Sequence, residues 1–229
     1  MPKKGPFKVL VNGGKGKMGQ ALIRLIKEQP QLGLVLSATR EAGEKVTENF
    51  DVVIDFSTPQ GAQEAFLIAK RAKKPFLTGT TNLTDLFLFQ LQSEEKIPVF
   101  FAPTVSLSVF FFTELVKKAA QMYKDYQPAL HEIHHIHKKD APSGTAKRLA
   151  DVMSLPVGQV TYAREGEVVG THQATFSAPL DEITLTHKAL NRDLFADSAL
   201  HIALWLIKQP SGFYTMKDYA KSILKGKKK

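Results

Sequence analysis

The sequence predicts an α/β protein with two parts: a parallel sheet covered by helices, and a smaller α+β part with a mixed sheet. Short apolar runs alternate with helical patterns over the first hundred residues, as in a parallel sheet with helices on both faces. A glycine-rich turn joins the first run to the first helical pattern. Beyond residue 159, polar and apolar residues alternate within extended segments, which indicates strands with one packed face. Together these patterns favour a Rossmann-like domain plus a smaller second domain.

Local signals define the elements of the first domain. We expect strands at residues 7–12, 34–38, 51–56, 75–79 and 97–102, because these runs are short, apolar and rich in β-branched or aromatic side chains. The first helix follows the glycine-rich turn and ends before Pro30, which cannot continue it. Pro59 suits the first turn of a helix over residues 60–71, and Thr84 suits the N-cap of a helix that ends near Lys96.

The second half of the chain begins with one long helix, predicted over residues 105–126. A strand at residues 128–136 and a helix at 143–153 follow. Extended segments are expected at residues 159–162, 168–177 and 182–187. Two last helices are predicted at residues 195–207, which include the only tryptophan, and at 216–224. No internal repeat and no long linker interrupts this order.

Charge and composition argue against several classes of protein. The 229 residues include 31 Lys and Arg against 22 Asp and Glu, which gives a net charge of +9. Six of the lysines lie at the two ends of the sequence, and without them the net charge is +3. A nucleic-acid-binding surface therefore has little support, and the lack of an apolar run of ~18 residues argues against a membrane span. Cysteine is absent, which excludes disulfides and thiolate metal sites and agrees with a cytoplasmic location.

The glycine-rich turn favours a bound nucleotide. It reads Gly-Gly-Lys-Gly-Lys-Met-Gly from Gly13 to Gly19. Glycines let backbone N–H groups approach phosphate oxygens, and the N-terminus of the next helix adds partial positive charge. The glycine spacing is G-x-x-G-x-x-G and no Gly-Lys-Ser/Thr follows, so the turn is not a P-loop. A tight turn without a ligand is the alternative.

The end of the second predicted strand bears on the type of nucleotide. An acidic residue there usually holds the ribose 2′-hydroxyl of NAD. This chain has Thr39 and Arg40 instead. Thr39 does not repel a 2′-phosphate and Arg40 can pair with one, so the sequence favours NADPH, with NADH possible. A solvated Arg40 without a ligand is the alternative.

Four of the seven histidines lie within residues 131–140. They suggest three interpretations: a metal site, acid–base chemistry by histidine with an adjacent lysine, or a plain surface strand. In a strand, Glu132, His134 and Lys138 would point to the same side. Lys138 and Lys139 repel a cation, so we expect no metal.

The residues that follow add a place for an anion. Ser143, Gly144 and Thr145 precede a helical pattern and would offer free backbone N–H groups at its N-terminus, which suits a carboxylate or phosphate. Simple N-capping of the helix is the alternative. A straight strand would hold His134 and Lys138 ~13 Å apart. We therefore expect the chain to curl between residues 136 and 140 and to bring both side chains to one pocket.

The segment from Glu132 to Ala146 resembles the signature of the dihydrodipicolinate reductase family, E-x-x-H-x-x-K-x-D-x-P-S-G-T-A. The resemblance extends over nearly the whole chain. Its other parts are residues 13–19, Asp55-Phe56-Ser57, Gly79-Thr80-Thr81, residues 102–106 and Thr186-His187-Lys188-Ala189.

The resemblance implies roles for the matching residues. His134 would be the proton donor, and Lys138 the second catalytic group, which holds and polarises the substrate. The implied substrate-binding residues are His135, Gly144 and Thr145, together with Ser143 at the helix start. The implied cofactor-binding residues are Gly13, Gly14, Lys15, Gly16, Lys17, Met18, Thr39, Arg40, Gly79, Thr80, Thr81, Ala102, Pro103, Thr104 and Val105.

The family also implies a reaction and an assembly. A cyclic dicarboxylate, 4-hydroxy-tetrahydrodipicolinate, would be reduced by NAD(P)H to tetrahydrodipicolinate on the route to diaminopimelate and lysine. Residues 1–105 and 193–229 would form the nucleotide domain, and residues 106–192 would bind substrate and build a homotetramer. This chain departs from the family pattern in three places: the region between Arg40 and Asp55 is short, Thr39 replaces the usual acidic residue, and Pro103-Thr104 replaces a small-residue/Asn pair.

Two other classes of function remain as alternatives. A nucleic-acid-binding module could use the basic ends, and its affinity would then fall steeply with salt. A dinucleotide sensor without turnover is the other, although the dense group of histidine, lysine and anion-binding residues argues for chemistry.

Overall fold

The computed structural model describes residues 5–43, 45 and 49–226, which form seven α-helices and ten β-strands. The strands are β1 (Phe7–Asn12), β2 (Leu34–Arg40), β3 (Val52–Asp55), β4 (Phe76–Thr78), β5 (Pro98–Phe101), β6 (Gln127–His134), β7 (Thr161–Arg164), β8 (Gly170–Ser177), β9 (Glu182–Ala189) and β10 (Gly212–Tyr214). The helices are α1 (Lys17–Glu28), α2 (Pro59–Ala72), α3 (Asp85–Gln92), α4 (Leu107–Met122), α5 (Gly144–Val152), α6 (Asp193–Leu206) and α7 (Met216–Gly226). None of the described helices is long and apolar enough to cross a membrane.

The described residues divide into two compact units. Unit 1 contains the residues up to Ser106 together with those from Asp193 onward, and unit 2 runs from Leu107 to Arg192. Unit 1 has a six-stranded sheet in the order β10-β5-β4-β3-β1-β2, and every pairing in it is parallel. The prediction of a Rossmann-like parallel sheet is thus confirmed. The edge strand β10 was not predicted, since three residues after Pro210 are too few to form a recognisable pattern.

Helices of unit 1 bury the apolar strands from both sides. On one face Phe66 of α2 packs with Phe76 of β4 and Phe87 of α3, at ring-centroid distances of 5.5 and 5.7 Å. Helices α1 and α6 contact each other. In α6, Trp205 meets Phe100 of β5 edge-on at 6.3 Å. Burial of strands on both faces explains why they read as continuous apolar runs.

Unit 2 has a four-stranded mixed sheet in the order β7-β6-β8-β9. β6 pairs parallel with β7 and antiparallel with β8, and β8 pairs antiparallel with β9. Helices α4 and α5 supply the other side of its core, where Val116 and Leu149 pack in one cluster with Leu130 and Phe176 of the sheet. The predicted mixed sheet is confirmed.

Several predicted boundaries were wrong by a few residues. Helix α3 ends at Gln92, before the predicted Lys96, and the buried Glu94 that follows pairs with Lys70 of α2 at 2.7 Å. Helix α4 ends at Met122, and Tyr126 instead closes a turn on the carbonyl of Tyr123.

Candidate active site

The residues predicted to bind the nucleotide follow strands that end at one edge of the sheet in unit 1. Because these strands are parallel, their carboxyl ends share that edge. β1 ends at Asn12, β2 at Arg40, β4 at Thr78 and β5 at Phe101. The chain passes from β1 to β2 on one side and then crosses back to β3 on the other. In open α/β sheets, nucleotides bind at such a switch point.

The glycine-rich turn forms a tight cradle at the N-terminus of α1. Gly13 has φ of +82°, and a Cβ atom there would collide with the carbonyl oxygen of Phe56. A Cβ at Gly19 would collide with the carbonyl of Gly13. Gly16 occupies the N-cap of α1 and has no side chain to cover the first N–H groups of the helix. The cradle therefore fits the pyrophosphate of a dinucleotide.

A buried carboxylate orders the edge beside this cradle. Asp55, at the end of β3, is inaccessible to solvent. Its Oδ1 accepts hydrogen bonds from Asn12 Nδ2 at 2.6 Å and Ser57 Oγ at 2.5 Å. Its Oδ2 accepts from the hydroxyls of Thr78 and Thr80, each at 2.7 Å. Both the hydroxyl of Thr80 and its backbone N–H, which donates to Thr78 Oγ1 at 3.1 Å, therefore serve the scaffold.

The predicted loops after β4 and β5 are fixed by backbone contacts. Gly79 N donates to the carbonyl of Asp55 at 3.0 Å, and a Cβ at Gly79 would collide with the ring of Phe56. Ala102 N donates to the carbonyl of Thr78 at 3.2 Å. Of the other predicted residues, Gly14, Ala102 and Val105 are buried, Met18 and Thr104 are half-buried, and Lys15, Gly16, Lys17, Thr81 and Pro103 are exposed.

Arg40 is not the solvated cation of the alternative interpretation. Its side chain is 3% exposed and lies 2.9 Å from the Glu64 carboxylate of α2. Its other terminal nitrogen donates to the side-chain oxygen of Asn12 at 3.1 Å. Thr39, one residue before, is exposed. Arg40 is therefore already paired at the position where a 2′-phosphate was predicted.

The strand register of unit 2 brings a second group of residues together. Glu132 and His134 point to the same, buried face of β6, as the predicted alternation requires. His172 of β8 lies directly opposite Glu132, and Arg164 of β7 lies opposite His134. Side chains from three neighbouring strands therefore converge.

Glu132 lies at the centre of this cluster, and its two carboxylate oxygens have different neighbours. Its Oε1 accepts hydrogen bonds from Ser143 N at 3.1 Å and from Arg164 Nη2 at 3.4 Å. Its Oε2 faces two imidazoles, with His134 Nδ1 at 3.5 Å and His172 Nε2 at 3.6 Å. These separations exceed a normal hydrogen bond, and Oε2 has no hydrogen-bond partner among the described residues.

Burial and charge set the protonation of the pair. Burial lowers the pKa of His134 to about 4, because the opposing attraction of Glu132 is smaller than the effect of burial together with those of His172, Lys138 and Arg164. Burial raises the pKa of Glu132, but the His172 imidazole 3.6 Å away, the contacts with Ser143 and the nearby His134 outweigh it and hold the pKa at about 2. At neutral pH the carboxylate is ionised and the His134 imidazole is neutral.

After His134 the chain turns, as predicted. Lys138 N donates to the carbonyl of His135 at 3.1 Å, and His135 in this turn is half-buried. Arg164 holds the turn by donating to the backbone carbonyls of Lys138 and Asp140, at 3.3 and 2.8 Å. The ammonium of Lys138 bonds the Asp140 carboxylate at 2.7 Å and is close enough to lower the pKa of His134. A shared pocket for His134 and Lys138 stays a prediction.

The anion receptor at the start of α5 differs from the prediction in one respect. Ser143 does not offer a free N–H group, because its N–H donates to Glu132. Its hydroxyl caps α5 and also lies 3.2 Å from His172 Nε2. The prediction was wrong at Ser143 because a local pattern cannot show a carboxylate eleven residues away. Gly144 is exposed and Thr145 half-buried in the first turn.

The same cluster has the composition of a metal site. Ligand atoms of Glu132, His134 and His172 all lie within 4.8 Å of one another. Two imidazoles and a carboxylate suit a divalent transition metal such as zinc. The guanidinium of Arg164 and the ammonium of Lys138 oppose a cation there. The expectation that no metal binds stays a prediction.

Family models cover almost all of the chain. The model for the N-terminus of dihydrodipicolinate reductase matches residues 7–105, and the model for its C-terminus matches residues 108–219. The chain belongs to the dihydrodipicolinate reductase family. It is therefore an oxidoreductase.

Curated relatives and a solved structure agree with this family. A 4-hydroxy-tetrahydrodipicolinate reductase from Xanthomonas campestris pv. campestris (strain B100) is 37% identical over 93% of this chain and 97% of its own length. One from Campylobacter jejuni subsp. doylei is 33% identical over 95% of this chain and 98% of its own. A dipicolinate-bound dihydrodipicolinate reductase from Paenisporosarcina sp. TG-14 has a TM-score of 0.73 and 19% identity, over 92% of this chain and 97% of that one, which supports the fold.

Several residues of this family member were missed as site residues by sequence reasoning. Glu132 opens the signature segment, and Asp55 lies in a matching segment, so a signal for both was present. His172 and Arg164 gave no local signal. Their place depends on the register of β6 with its two neighbours, which a sequence pattern does not reveal.

Proposed function

We propose that this protein reduces 4-hydroxy-tetrahydrodipicolinate to tetrahydrodipicolinate with a nicotinamide nucleotide, in the biosynthesis of diaminopimelate and lysine. Family membership and the names of its relatives support the reaction. The observation that carries the proposal is the buried, neutral His134 within the signature segment, between Glu132 and the turn that holds Lys138.

In unit 1, the glycine cradle binds the pyrophosphate through backbone N–H groups and the N-terminus of α1. The nucleotide supplies the hydride when bound. The loops that follow Thr78 and Phe101 lie at the same sheet edge and line the nicotinamide half, as the family implies. The sequence favours NADPH because of Arg40, but the structure pairs Arg40 with Glu64, so the proposed cofactor is either nicotinamide nucleotide.

In unit 2, His134 provides the proton that the reduced ring requires. Its Nδ1 faces the Glu132 carboxylate, so we assign the transfer to Nε2, which lies next to Gly170. Because the imidazole is neutral at pH 7, it must take up a proton when substrate binds. The two carboxylates of the substrate raise the pKa of His134 and so favour that uptake.

The remaining positive and N–H groups recognise the dicarboxylate. Lys138 provides a charge close to His134, and Arg164 positions its backbone. Gly144 and Thr145 begin α5 and direct backbone N–H groups to one carboxylate, while His135 contacts the substrate from the turn. Ser143 acts indirectly, because it holds Glu132 and His172 in place.

The activity assay uses purified protein and freshly generated 4-hydroxy-tetrahydrodipicolinate. We expect substrate-dependent loss of NADPH or NADH absorbance. Titration of either nucleotide with pyridine-2,6-dicarboxylate, a substrate mimic, should show reciprocal tightening, since hydride transfer requires both ligands to be bound together. Binding of the mimic should take up protons near pH 6, measurable by calorimetry in buffers of different ionisation enthalpy. Absence of turnover with both nucleotides would refute the proposed function.

A homotetramer and a cytoplasmic location complete the proposal. The resemblance to the family supports the assembly, and the absence of cysteine agrees with a reducing compartment. Light scattering coupled to size exclusion will give the mass, and a dimer or monomer at assay concentration would contradict the assembly.

A further inference from the structure

The end of β2 presents an arginine that already has a carboxylate partner. Arg40 Nη2 lies 2.9 Å from Glu64 Oε2, and Arg40 Nη1 donates to Asn12 Oδ1 at 3.1 Å. The arginine side chain is 3% exposed, whereas that of Glu64 is 30% exposed. A 2′-phosphate can reach this guanidinium only by displacing the carboxylate or by lying beside it.

Glu64 is fixed from a second direction. Gly43 N, in the connection after β2, donates to the same Oε2 at 2.7 Å. The N–H of Gly43, followed by the guanidinium of Arg40, lowers the pKa of Glu64, so this carboxylate is ionised at neutral pH. Displacing it would therefore break two contacts of a charged group.

A second carboxylate stands at the glycine cradle itself. Glu41 Oε1 accepts a hydrogen bond from Lys15 N at 2.9 Å. In nucleotide-binding α/β folds, an acidic group at the end of the second strand accepts a hydrogen bond from the ribose 2′-hydroxyl. Thr39 has no negative charge with which to accept this hydrogen bond. Glu41 lies two residues further along the chain. Glu41 therefore supplies the negative charge that Thr39 lacks at the end of β2.

We propose that Glu64 and Glu41 act as specificity-determining residues that select against a 2′-phosphate, so that the protein binds NADH at least as tightly as NADPH. This rests on the proposed function, since it requires a nicotinamide nucleotide at the glycine cradle. Glu64 neutralises Arg40 and repels a phosphate dianion. Glu41 accepts a hydrogen bond from a ribose hydroxyl, which the 2′-phosphate of NADPH replaces.

Other basic residues line the groove beside Arg40 and Glu64. A groove of about 990 Å³ is lined by Arg40 and Glu64 and extends to further basic residues. Three of these, Lys70, Arg71 and Lys73, lie at the far end of α2, and at ~1.5 Å per residue Arg71 is ~10 Å along the axis from Glu64. Lys70 is also paired with Glu94 at 2.7 Å. These three residues therefore do not replace Arg40 as the group that meets a 2′-phosphate. Lys45 and Lys96 line the groove as well.

The test is a pair of equilibrium titrations, with NADH and with NADPH, on the full-length protein. For the wild type we expect NADPH to bind no more tightly than NADH. The substitution Glu64→Gln should improve NADPH binding relative to NADH by about tenfold, because it removes a like charge and releases Arg40. Glu28→Gln is the matched control, since it breaks an ion pair of the same length with Arg24, at the end of α1 away from the glycine cradle, and should leave the ratio unchanged.

Two further variants keep the test decisive. Glu41→Gln should weaken NADH more than NADPH, by roughly threefold to tenfold, the usual worth of one hydrogen bond to a charged group. Arg40→Gln in the Glu64→Gln background should cancel the gained NADPH binding. If Glu64→Gln fails to fold, the Glu41 variant and the wild-type ratio still decide.

The inference is overturned if wild-type protein binds NADPH more than threefold more tightly than NADH, or if Glu64→Gln changes the two affinities equally. Failure of the proposed function looks different. In that case neither nucleotide would bind, or both would bind without substrate-dependent oxidation.

Discussion

Two buried carboxylates, one in each unit, have opposite surroundings. Asp55 in unit 1 accepts four short hydrogen bonds from amide and hydroxyl groups that do not titrate. Glu132 in unit 2 is equally buried, yet one of its oxygens faces only the imidazoles of His134 and His172, at 3.5 and 3.6 Å. Fully satisfied polar networks rigidify a structure, whereas an unsatisfied buried group in a native site calls for a functional explanation.

The two units therefore surround their buried carboxylates with different kinds of partner. Unit 1 surrounds its buried carboxylate with neutral amide and hydroxyl donors. Unit 2 places an ionised carboxylate against two imidazoles, and the pKa of one of them, His134, is strongly changed by its surroundings. Coulombic interaction across such short distances is strong in a buried site, so the state of His134 depends on what binds beside it. A rigid scaffold needs a carboxylate with neutral, fully bonded partners, whereas a proton donor needs neighbours that change its pKa.

The largest effect is expected from His134→Gln, which should lower kcat by roughly 10² to 10⁴, the usual worth of a positioned acid. The control is His137→Gln, because the side chain of His137 is 71% exposed. Steady-state rates and circular dichroism of both variants give the comparison. An unchanged kcat in the His134 variant would remove this residue from the mechanism.

The next largest effects are expected from substitutions of the two buried carboxylates, Asp55 and Glu132. Asp55→Asn places an amide among four donors and should cost ~2–3 kcal/mol of unfolding free energy, while protein that stays folded keeps its kcat.

Glu132→Gln keeps an acceptor for Ser143 N and should cost only ~1 kcal/mol, but should lower kcat at least tenfold because His134 loses its anionic neighbour. Denaturant unfolding and initial rates test both. Equal losses of stability and rate in the two variants would break the contrast.

The fold and much of the candidate site could be predicted because their signals are local. The glycine turn, the apolar runs of the parallel sheet and the signature segment each lie within a short stretch of chain. The partners of Arg40 and Ser143 could not be predicted in the same way. Glu64 is 24 residues from Arg40, and Glu132 is 11 residues from Ser143. Only the assembled sheet and helices bring these groups together.

The same reason explains the difference between the two carboxylates. The hydroxyl and amide partners of Asp55 come from three neighbouring parallel strands and the turns after them, so the family motif around Asp55 at least indicates the place. His172 comes opposite Glu132 only through the antiparallel register of β6 and β8. A shift of one residue in that pairing would turn His172 to the other face.

A smaller effect is expected from Gly170→Ala. A Cβ atom at this position would lie 3.0 Å from His134 Nε2, which is closer than side chains normally approach. The ring must move by a few tenths of an ångström, and we expect about a tenfold loss of kcat, since misplacement of a catalytic group is costly. Gly158→Ala is the control, because nothing lies near a Cβ there. Loss of kcat in both variants, or in neither, would contradict the assignment of Nε2.

The smallest effect is a change in the pH dependence of stability. The pKa of His134 is lowered from 6.5 to about 4, so the unfolded chain takes up a proton there before the folded protein does. Stability therefore falls as pH drops from 6.5 to 4. The pKa of Glu132 is lowered from 4.5 to about 2, so its contribution is present above pH 4.5 and is lost as pH falls towards 2. His134→Gln removes the first effect, and its Tm should depend less on pH between 6.5 and 4.5 than that of the wild type. Parallel Tm curves for the two proteins in scanning calorimetry would show that His134 is not held neutral by its surroundings, and the contrast with Asp55 would then lose its basis.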